Sequence, residues 1–582
     1  MSIRILSESQ RDMAAGAIVF LVALLAFAHS IPFEFLNWDD HTYIQKNAWL
    51  LNLSWKNASG VFAHSYFSNY HPLTMLSYMV DFHYFGYEPA GYRFGNILLH
   101  AGTALVSFAV MRVMSAQRVV AAAFAILFSV HPLRIESVVW ISERKDVLCA
   151  FFYMLSFLLW AVPVRKRFAS ITLWGCLLCG ILALLSKAMA ISLPCIFILY
   201  EILFRKKFAL SRAALCALLT AGSVAIAIAN HAAQETALIA GYPLWERMKV
   251  ASWAPVHYTL KTLLPFNLSP LYPFESRPTQ NVIPVLLGFL FSTGLAATAL
   301  ACWRRGPAVT FAILGGSVVL APVSGIVAFS AAYAADRYSY LPTLIFFVGA
   351  AVFISPLIRN ARTKVRFVIA SIALCLVLEA VSLTLLTHWK NSQTVWERVL
   401  AIYPESRKAQ LNAFHAKTLS DKQGGIDEVA AAELRDFTQA SELSASAALK
   451  KRDFAAAMKE ARAIADKPVS LYWQARIARE TRDVNAIKSI ATEMASERQA
   501  TPEQRAEIAL SLATVGETSQ ARELMSTIDV PTVSGAFAWA QIASQTGNAV
   551  ARVEYAENAL DIFPAEFNAL QIVIDADPPA TL

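Results

Sequence analysis

Two carboxylates stand side by side in the segment Asn37-Trp38-Asp39-Asp40, just after the first apolar run. Adjacent carboxylates at a membrane surface repel each other and cost solvation, which suits a general base, a metal ligand, or both. The same pair also fits a solvated turn or a helix cap. Further along come His71, His131, Arg134, Glu136, Arg144, Lys145, Asp146, Lys187 and Arg337, with Tyr338 beside the last. Lys187 lies in LLSKAMAISLP, between two apolar runs. An ionisable group near membrane depth is a functional candidate, unless it snorkels to the interface. Glu143, Arg144, Lys145 and Asp146 also read as a mutual ion-pair cluster, Arg337 as a partner of Asp336, and the His-Pro pairs at 71–72 and 131–132 as helix-ending turns. As chemistry, a carboxylate of this set can deprotonate a hydroxyl. Cations at bilayer height can hold a lipid phosphate and stabilise it as a leaving group. Glycosyl transfer from a polyprenyl-phosphate sugar requires both.

The elements that must position these groups are membrane helices. Of 582 residues, 56% are hydrophobic and only 16% charged, against about 25% charged in soluble domains. The apolar runs reach the roughly 20 residues that span a bilayer. Spans are expected near 14–31, 94–112, 119–131, 147–164, 170–186, 189–204, 211–230, 281–303, 307–330, 341–358 and 367–387, about eleven in all. Arg165-Lys166-Arg167, Arg205-Lys206-Lys207 and Arg304-Arg305 flank these runs, so the net charge of +8 reads as the positive-inside pattern. No basic stripe with interleaved aromatics points to nucleic acid. With the N-terminus in the cytoplasm, an odd count sends the C-terminal tail outside. The run Ala14 to His29 follows Arg4 and Arg11 and ends in Ala26-Phe27-Ala28, the form of a signal-peptide cleavage site. Many further spans follow it, and it is read as a retained first span. All seven cysteines fall in or beside apolar runs, so the exported parts do not rely on disulfides. Cys176 and Cys179 form a CxxC inside an apolar helix and read as packed small residues.

The first outside loop, about 32–93, is rich in aromatics. Short interfacial helices are expected there, anchored by Trp38, Trp49 and Trp55. From about His388 the composition turns to Ala, Glu and Arg. KRDFAAAMKEARAIA, TRDVNAIKSIATEMA, VGETSQARELMSTI and TGNAVARVEYAENALDIFP recur with a period of about 30–34 residues, as in helical hairpins of tetratricopeptide type. Arg452, Arg482, Gly516 and Gly547 occupy equivalent turns. The expected organisation is an all-α polytopic membrane domain over 1–387 and a helical repeat domain over 388–582.

NWDDHTYIQKN, HPLTMLSYMVDFHYFG, HPLRIESVVWISERKDVL, LLSKAMAISLP, ADRYSYLP and HWKNSQTVWERVLAIYP occur in that order. In that order, followed by helical repeats, they resemble bacterial relatives of the transmembrane and tetratricopeptide-repeat mannosyltransferases. These belong to the GT-C superfamily, which also holds the protein O-mannosyltransferases. The resemblance covers the membrane part and the start of the tail. It implies a GT-C fold, a lipid-phosphate sugar donor, an extracytoplasmic site and inversion at the anomeric carbon. By the same resemblance Asp39 is the general base and Asp40 its support or substitute. Arg144, Lys145, Lys187 and Arg337 become donor-phosphate candidates; His71, His131 and Glu136, with Tyr338, line the site. Some superfamily members use a divalent metal such as Mg or Mn, which Asp39 and Asp40 would hold here, and others use none. The expected partners are a polyprenyl-phosphate-linked sugar, an acceptor protein recruited by the tail, and the bilayer. The expected location is an inner membrane, with the tail in the periplasm.

Three other readings fit parts of the pattern. The acceptor of the sugar can be a lipopolysaccharide or another envelope glycan. A transporter or flippase also combines spans with buried charge, but no paired internal repeat is visible and the charges gather at one face. A non-catalytic envelope scaffold fits the tail and leaves Asp39 and Asp40 without a role.

Overall fold

The first apolar run begins at a capping box. The Ser7 side chain accepts from the Gln10 backbone at 3.2 Å, and Gln10 returns a bond to the Ser7 backbone at 2.8 Å. This reciprocal pair satisfies N–H groups that a helix start leaves open. In this computed structural model residues 7–66, 69–163, 166–206, 209–235, 243–326, 332–420, 438–497, 499–528 and 530–562 are described. Arg4, Arg165, Lys207 and the segment 421–437 near the start of the repeats lie outside them.

The chain is almost entirely helical. In order, the helices are α1 (Glu8–Ala26), α2 (Trp55–Ala63), α3 (Pro72–Phe85), α4 (Pro89–Val113), α5 (Arg118–Ser129), α6 (Ile135–Val139), α7 (Arg144–Ala161) and α8 (Ala169–Ser186). Then follow α9 (Leu193–Tyr200), α10 (Leu210–Glu235), α11 (Leu244–Leu263), α12 (Val282–Cys302), α13 (Pro307–Leu320), α14 (Tyr340–Ile354), α15 (Ala361–Leu386) and α16 (Ser392–Ile402). One short antiparallel pair joins Tyr272–Pro273 to Ala332–Ala334.

Among the described residues, eight helices are long and apolar enough to cross a membrane, or nine if α5 and α6, bent by 59° across Pro132, form one span. The all-α polytopic fold therefore stands. The sequence reading of about eleven also counted 147–164 and 307–330. The first of these belongs to an 18-residue helix that opens on Arg144, Lys145 and Asp146, and the second holds only the short apolar stretch Pro307–Val323. Charge at a helix start shortens the apolar length left to span lipid.

The chain packs as two units. The first comprises Met1–Leu36, His64–Ser77 and Glu88–Ser406. At one end of it, Asp12 of α1 accepts from Arg112 of α4 at 3.0 Å and from Arg118 of α5 at 2.6 Å, tying three helices together. α13 and α14 approach so closely that a Cβ on Gly349 would lie 2.7 Å from that of Ala312. Small residues let membrane helices pack by backbone contact.

The second unit comprises Asn37–Ala63, Tyr78–Tyr87 and Arg407–Leu582. Among the described residues, four helical hairpins follow one another in it: Thr438–Lys450 with Phe454–Arg462, Lys467–Thr481 with Val484–Ala495, Pro502–Thr514 with Thr518–Met525, and Val533–Gln545 with Ala549–Ile562. Arg452, Arg482 and Gly516 turn the chain with left-handed backbone, φ 59°, 55° and 92°; Gly547 has no such φ. The aspartates after the two arginines cap the next helices, Asp453 on Ala456 N and Asp483 on Ala486 N, both at 3.0 Å. A core of small and branched residues, among them Ala475, Ala478, Ile487, Ala509 and Leu512, seals the middle hairpins. Within the same unit, Trp49 is buried against Gly60, where any Cβ would collide with the indole, while Trp55 is 92% exposed. Trp49 is thus a packing residue and not the interfacial anchor expected of it.

Candidate functional site

The Pro132 bend delivers a run of short turns to one end of the first unit. After α5 the chain makes a turn over Pro132–Arg134, then α6, then a turn over Ile141–Glu143, before entering α7. At the same end, α8 stops at Ser186, and Lys187 is held extended (φ −158°, ψ 138°) before the next helical turn starts. A third segment, Asp336–Ser339, precedes α14. Three separate stretches of chain therefore bring their charges together.

The centre is Glu143, whose side chain is 1% exposed. Its carboxylate is approached by Lys145 at 3.2 Å, Arg337 at 3.2 Å and Lys187 at 3.4 Å. Lys187 also pairs with Asp146, and Arg337 with Glu136. The backbone N–H of Arg337 donates to Glu136 at 2.8 Å, and Ser137 donates to Asp146 at 3.1 Å. Three cations thus face three carboxylates, all largely withdrawn from water. Burial alone would raise the Glu143 carboxyl, but Lys145, Lys187 and Arg337 outweigh it and hold the group well below the usual carboxylate range. Tyr338 lies under the Arg337 guanidinium at 4.9 Å and 6.0 Å from Lys187 Nζ. His71 is buried nearby; burial, reinforced by Lys145, pulls its imidazole down to about 3, so it is neutral at physiological pH. Thr74, three residues on, donates to the Ser186 carbonyl at 3.0 Å and so fixes this turn beside Lys187.

The other expected residues are placed differently. Arg144 is buried against α4, donating to Asn96 and, at 2.6 Å, to the Tyr92 carbonyl. A Cβ on Gly95 would fall 2.6 Å from its guanidinium. Arg144 therefore locks the start of α7 onto α4. Both ring nitrogens of His131 are engaged, one with the Thr262 carbonyl at 2.9 Å and one with the Leu133 N–H at 3.2 Å. It caps the turn that starts the bend, as the helix-ending reading has it. Arg337 is paired with Glu136 and Glu143; Asp336 instead accepts from the Tyr272 hydroxyl at 2.7 Å. Asp39 and Asp40 belong to the second unit, at the start of the turn His41–Gln45, with Asp40 fully buried and Asp39 half-buried. Among the described residues no group of three His, Cys, Asp or Glu side chains is arranged to hold a metal, and the Asp pair supplies two carboxylates.

Sequence reasoning placed Glu143 only in an ion-pair cluster with its neighbours, which the Lys145 pair bears out, gave Asp146 no specific role, and passed over the polar stripe of α4. Arg93 donates to the carbonyls of Val139 and Glu34, both at 2.9 Å, Asn96 to that of Trp140 at 3.2 Å, and His100 meets the Tyr340 hydroxyl at 2.7 Å. Their spacing of three and four residues puts them on one face of a membrane helix. That periodicity is a signal visible in the sequence.

Compared with known proteins, the chain shows 30% identity over 223 residues to the human protein O-mannosyl-transferase TMTC4, which is 33% of this chain and 30% of that protein. It is a TMTC-like relative. The mouse TMTC4 protein matches at 32% identity over 166 residues, 25% of this chain and 22% of that protein. Drosophila melanogaster Tmtc3, also a protein O-mannosyl-transferase, matches at 28% over 160 residues, 23% and 17% of the respective lengths. The chain thus spans less than a third of the length of these relatives. No protein-family model and no solved structure matches it.

Proposed function

We propose that the chain is a membrane glycosyltransferase that moves a sugar from a polyprenyl-phosphate donor to a hydroxyl of an extracytoplasmic protein. The observation that carries this reading is the Glu143 carboxylate surrounded by Lys145, Lys187 and Arg337. Three cations that converge on one small anion can also converge on a donor phosphate, and the internal carboxylates keep them charged and fixed until it binds. The TMTC relatives, named protein O-mannosyl-transferases, favour a sugar as the group moved and a protein as acceptor.

In the reaction the acceptor oxygen attacks the anomeric carbon while the carbon–oxygen bond to the phosphate breaks. The electron pair leaves with the polyprenyl phosphate, whose added charge Lys187, Lys145 and Arg337 stabilise. The acceptor proton goes to a carboxylate base, a role that the resemblance gives to Asp39, with Asp40 as its support. Glu136 orients Arg337, neutral His71 lines the site without competing for the phosphate, and Tyr338 offers its ring beneath the cations. Arg144 and His131 act as positioning residues. The helical hairpins of the tail recruit the acceptor protein. The carrier is undecaprenyl phosphate in a bacterial inner membrane and dolichyl phosphate otherwise.

The test is intact-mass comparison of exported proteins from cells with the native gene and cells with Asp39→Asn at equal enzyme level. The expected result is loss of one discrete hexose or pentose mass from a protein. Full retention overturns Asp39 as base. A sugar lost from a lipid or envelope glycan, and from no protein, overturns the acceptor.

A further inference from the structure

The end of α7 opposite the charge cluster carries a second basic site, about 26 Å away for a helix of this length. The last carbonyls of a helix have no partner within it. Here they are taken by two arginines, one from the turn after α9 and one from the first turn of α10. Arg205 donates to the Ala161 carbonyl at 2.8 Å, and Arg212 donates to the Trp160 carbonyl at 3.0 Å and to Glu201 at 2.7 Å. A π-helical turn over Glu201–Arg205, closed by Lys206 in left-handed backbone at φ 56°, brings Arg205 back over α7. Each guanidinium has five N–H donors. Nη1 of Arg205 and Nη2 of Arg212 make no hydrogen bond among the described residues, and the side chains remain 29% and 14% exposed.

Both arginines line a cavity of about 520 Å³ with Tyr200, Val113, Val162 and Pro163. With Glu201 counted, the arginines leave one net positive charge beside an apolar wall. The ends of α4 and α7 and the starts of α8 and α10 meet here, so the cavity opens where the helix bundle leaves the bilayer. The positive-inside pattern assigns this face to the cytoplasm, where anionic lipids concentrate.

We infer that Arg205 and Arg212 form a binding site for the phosphodiester of an anionic phospholipid, with the start of its acyl chains against Tyr200 and the valines. A diester carries the single negative charge that balances the site, and guanidinium groups hold phosphate through paired donors.

The probe is phosphatidylglycerol, compared with phosphatidylcholine, retained by the purified full-length protein in native mass spectrometry. Wild type retains phosphatidylglycerol preferentially, and Arg205→Gln/Arg212→Gln reduces that preference roughly tenfold or more. Arg304→Gln/Arg305→Gln, at another basic turn, leaves it unchanged. Equal preference in the Arg205/Arg212 variant overturns the site. So does complete displacement of the lipid by millimolar inorganic phosphate, which marks a soluble-anion site. The double variant also removes caps from α7, so a second measurement uses wild type alone. A photoreactive phosphatidylglycerol labelled at its headgroup marks peptides around 161–169 and 200–212; labelling confined to other peptides overturns the inference.

Discussion

Glu143 in the first unit lies at 1% exposure among Lys145, Lys187 and Arg337, whereas Asp453 and Asp483 in the second stand exposed at helix starts and each accept a backbone N–H. Both arrangements use carboxylates, but the energetics differ. Withdrawing an ion from water costs several kcal/mol, and close partners must repay it, so the buried cluster contributes little net stability while making every member indispensable. An exposed cap gives up almost no solvation and adds about 1 kcal/mol wherever the helix begins. A fold that needs only stability uses the second device, as the tail hairpins do. In the proposed function, the first device holds fixed, partly neutralised cations ready for a donor phosphate.

Lys187→Met is expected to break this contrast most severely. It strands Asp146 and leaves Glu143 with fewer cations, at about 3–5 kcal/mol, and abolishes transfer. Thermal unfolding in detergent reads the first effect and product mass the second; a loss below about 1 kcal/mol would show that the cluster is wetter than its burial implies. Asp483→Ala should cost about 1 kcal/mol, confined to the hairpin Lys467–Thr481 with Val484–Ala495 and visible as faster hydrogen exchange there, with sugar-transfer chemistry intact. Arg482→Gly should raise local stability by about 0.5–1 kcal/mol, because a left-handed turn penalises a side chain; a loss would mean that the arginine is held by contacts beyond its backbone.

The smallest effect separates the two units by pH. Cations hold Glu143 down against its burial, so its stabilisation is present above the unfolded carboxylate range and fades as pH falls through the lower folded value. Glu507 in the tail goes the other way. Burial raises its carboxyl, despite an ion pair with Arg479 at 2.8 Å, so its contribution is present at low pH and is lost as pH rises through the folded value. Between pH 7 and 5, exchange protection should increase around Pro502–Thr514. The part of the protection that Glu143 itself supplies, read as the difference from Glu143→Gln, should be lost only below about pH 4.5. A Glu143→Gln difference that already appears between pH 7 and 5 would remove the distinction between the two carboxylates.

Much of this was legible in the chain itself. The apolar runs announced a polytopic helical protein, and the RD pairs at 452–453 and 482–483 marked turns that the structure closes with left-handed arginines and aspartate caps. Lys187 and Arg337 stood out as charges beside apolar segments and do converge. Their shared partner did not stand out, because Glu143 sits in the run Glu-Arg-Lys-Asp, where all four look alike. One register step decides that Glu143 turns to the cluster and Arg144 to α4. Such assignments depend on how the 59° bend between α5 and α6 and the break at Lys187 meet in space, and no local pattern encodes that. Trp49 was misread for a related reason: an indole that packs on a glycine eleven residues away has the same sequence signature as one that anchors at an interface.

The contact between the first loop and the last described helix has a consequence for synthesis. Lys56 pairs with Asp561 at 2.9 Å, and Asn52 donates to the Asp561 carbonyl at 3.0 Å, across 505 and 509 residues. At about 5–20 residues per second, a ribosome needs roughly half a minute to nearly two minutes to cover that interval. Throughout it, the loop bearing Asp39 and Asp40 has been synthesised without its C-terminal neighbours. These two contacts therefore close only after the final hairpin has been made, and a nascent chain arrested before it would carry the loop with Asn52 and Lys56 facing water.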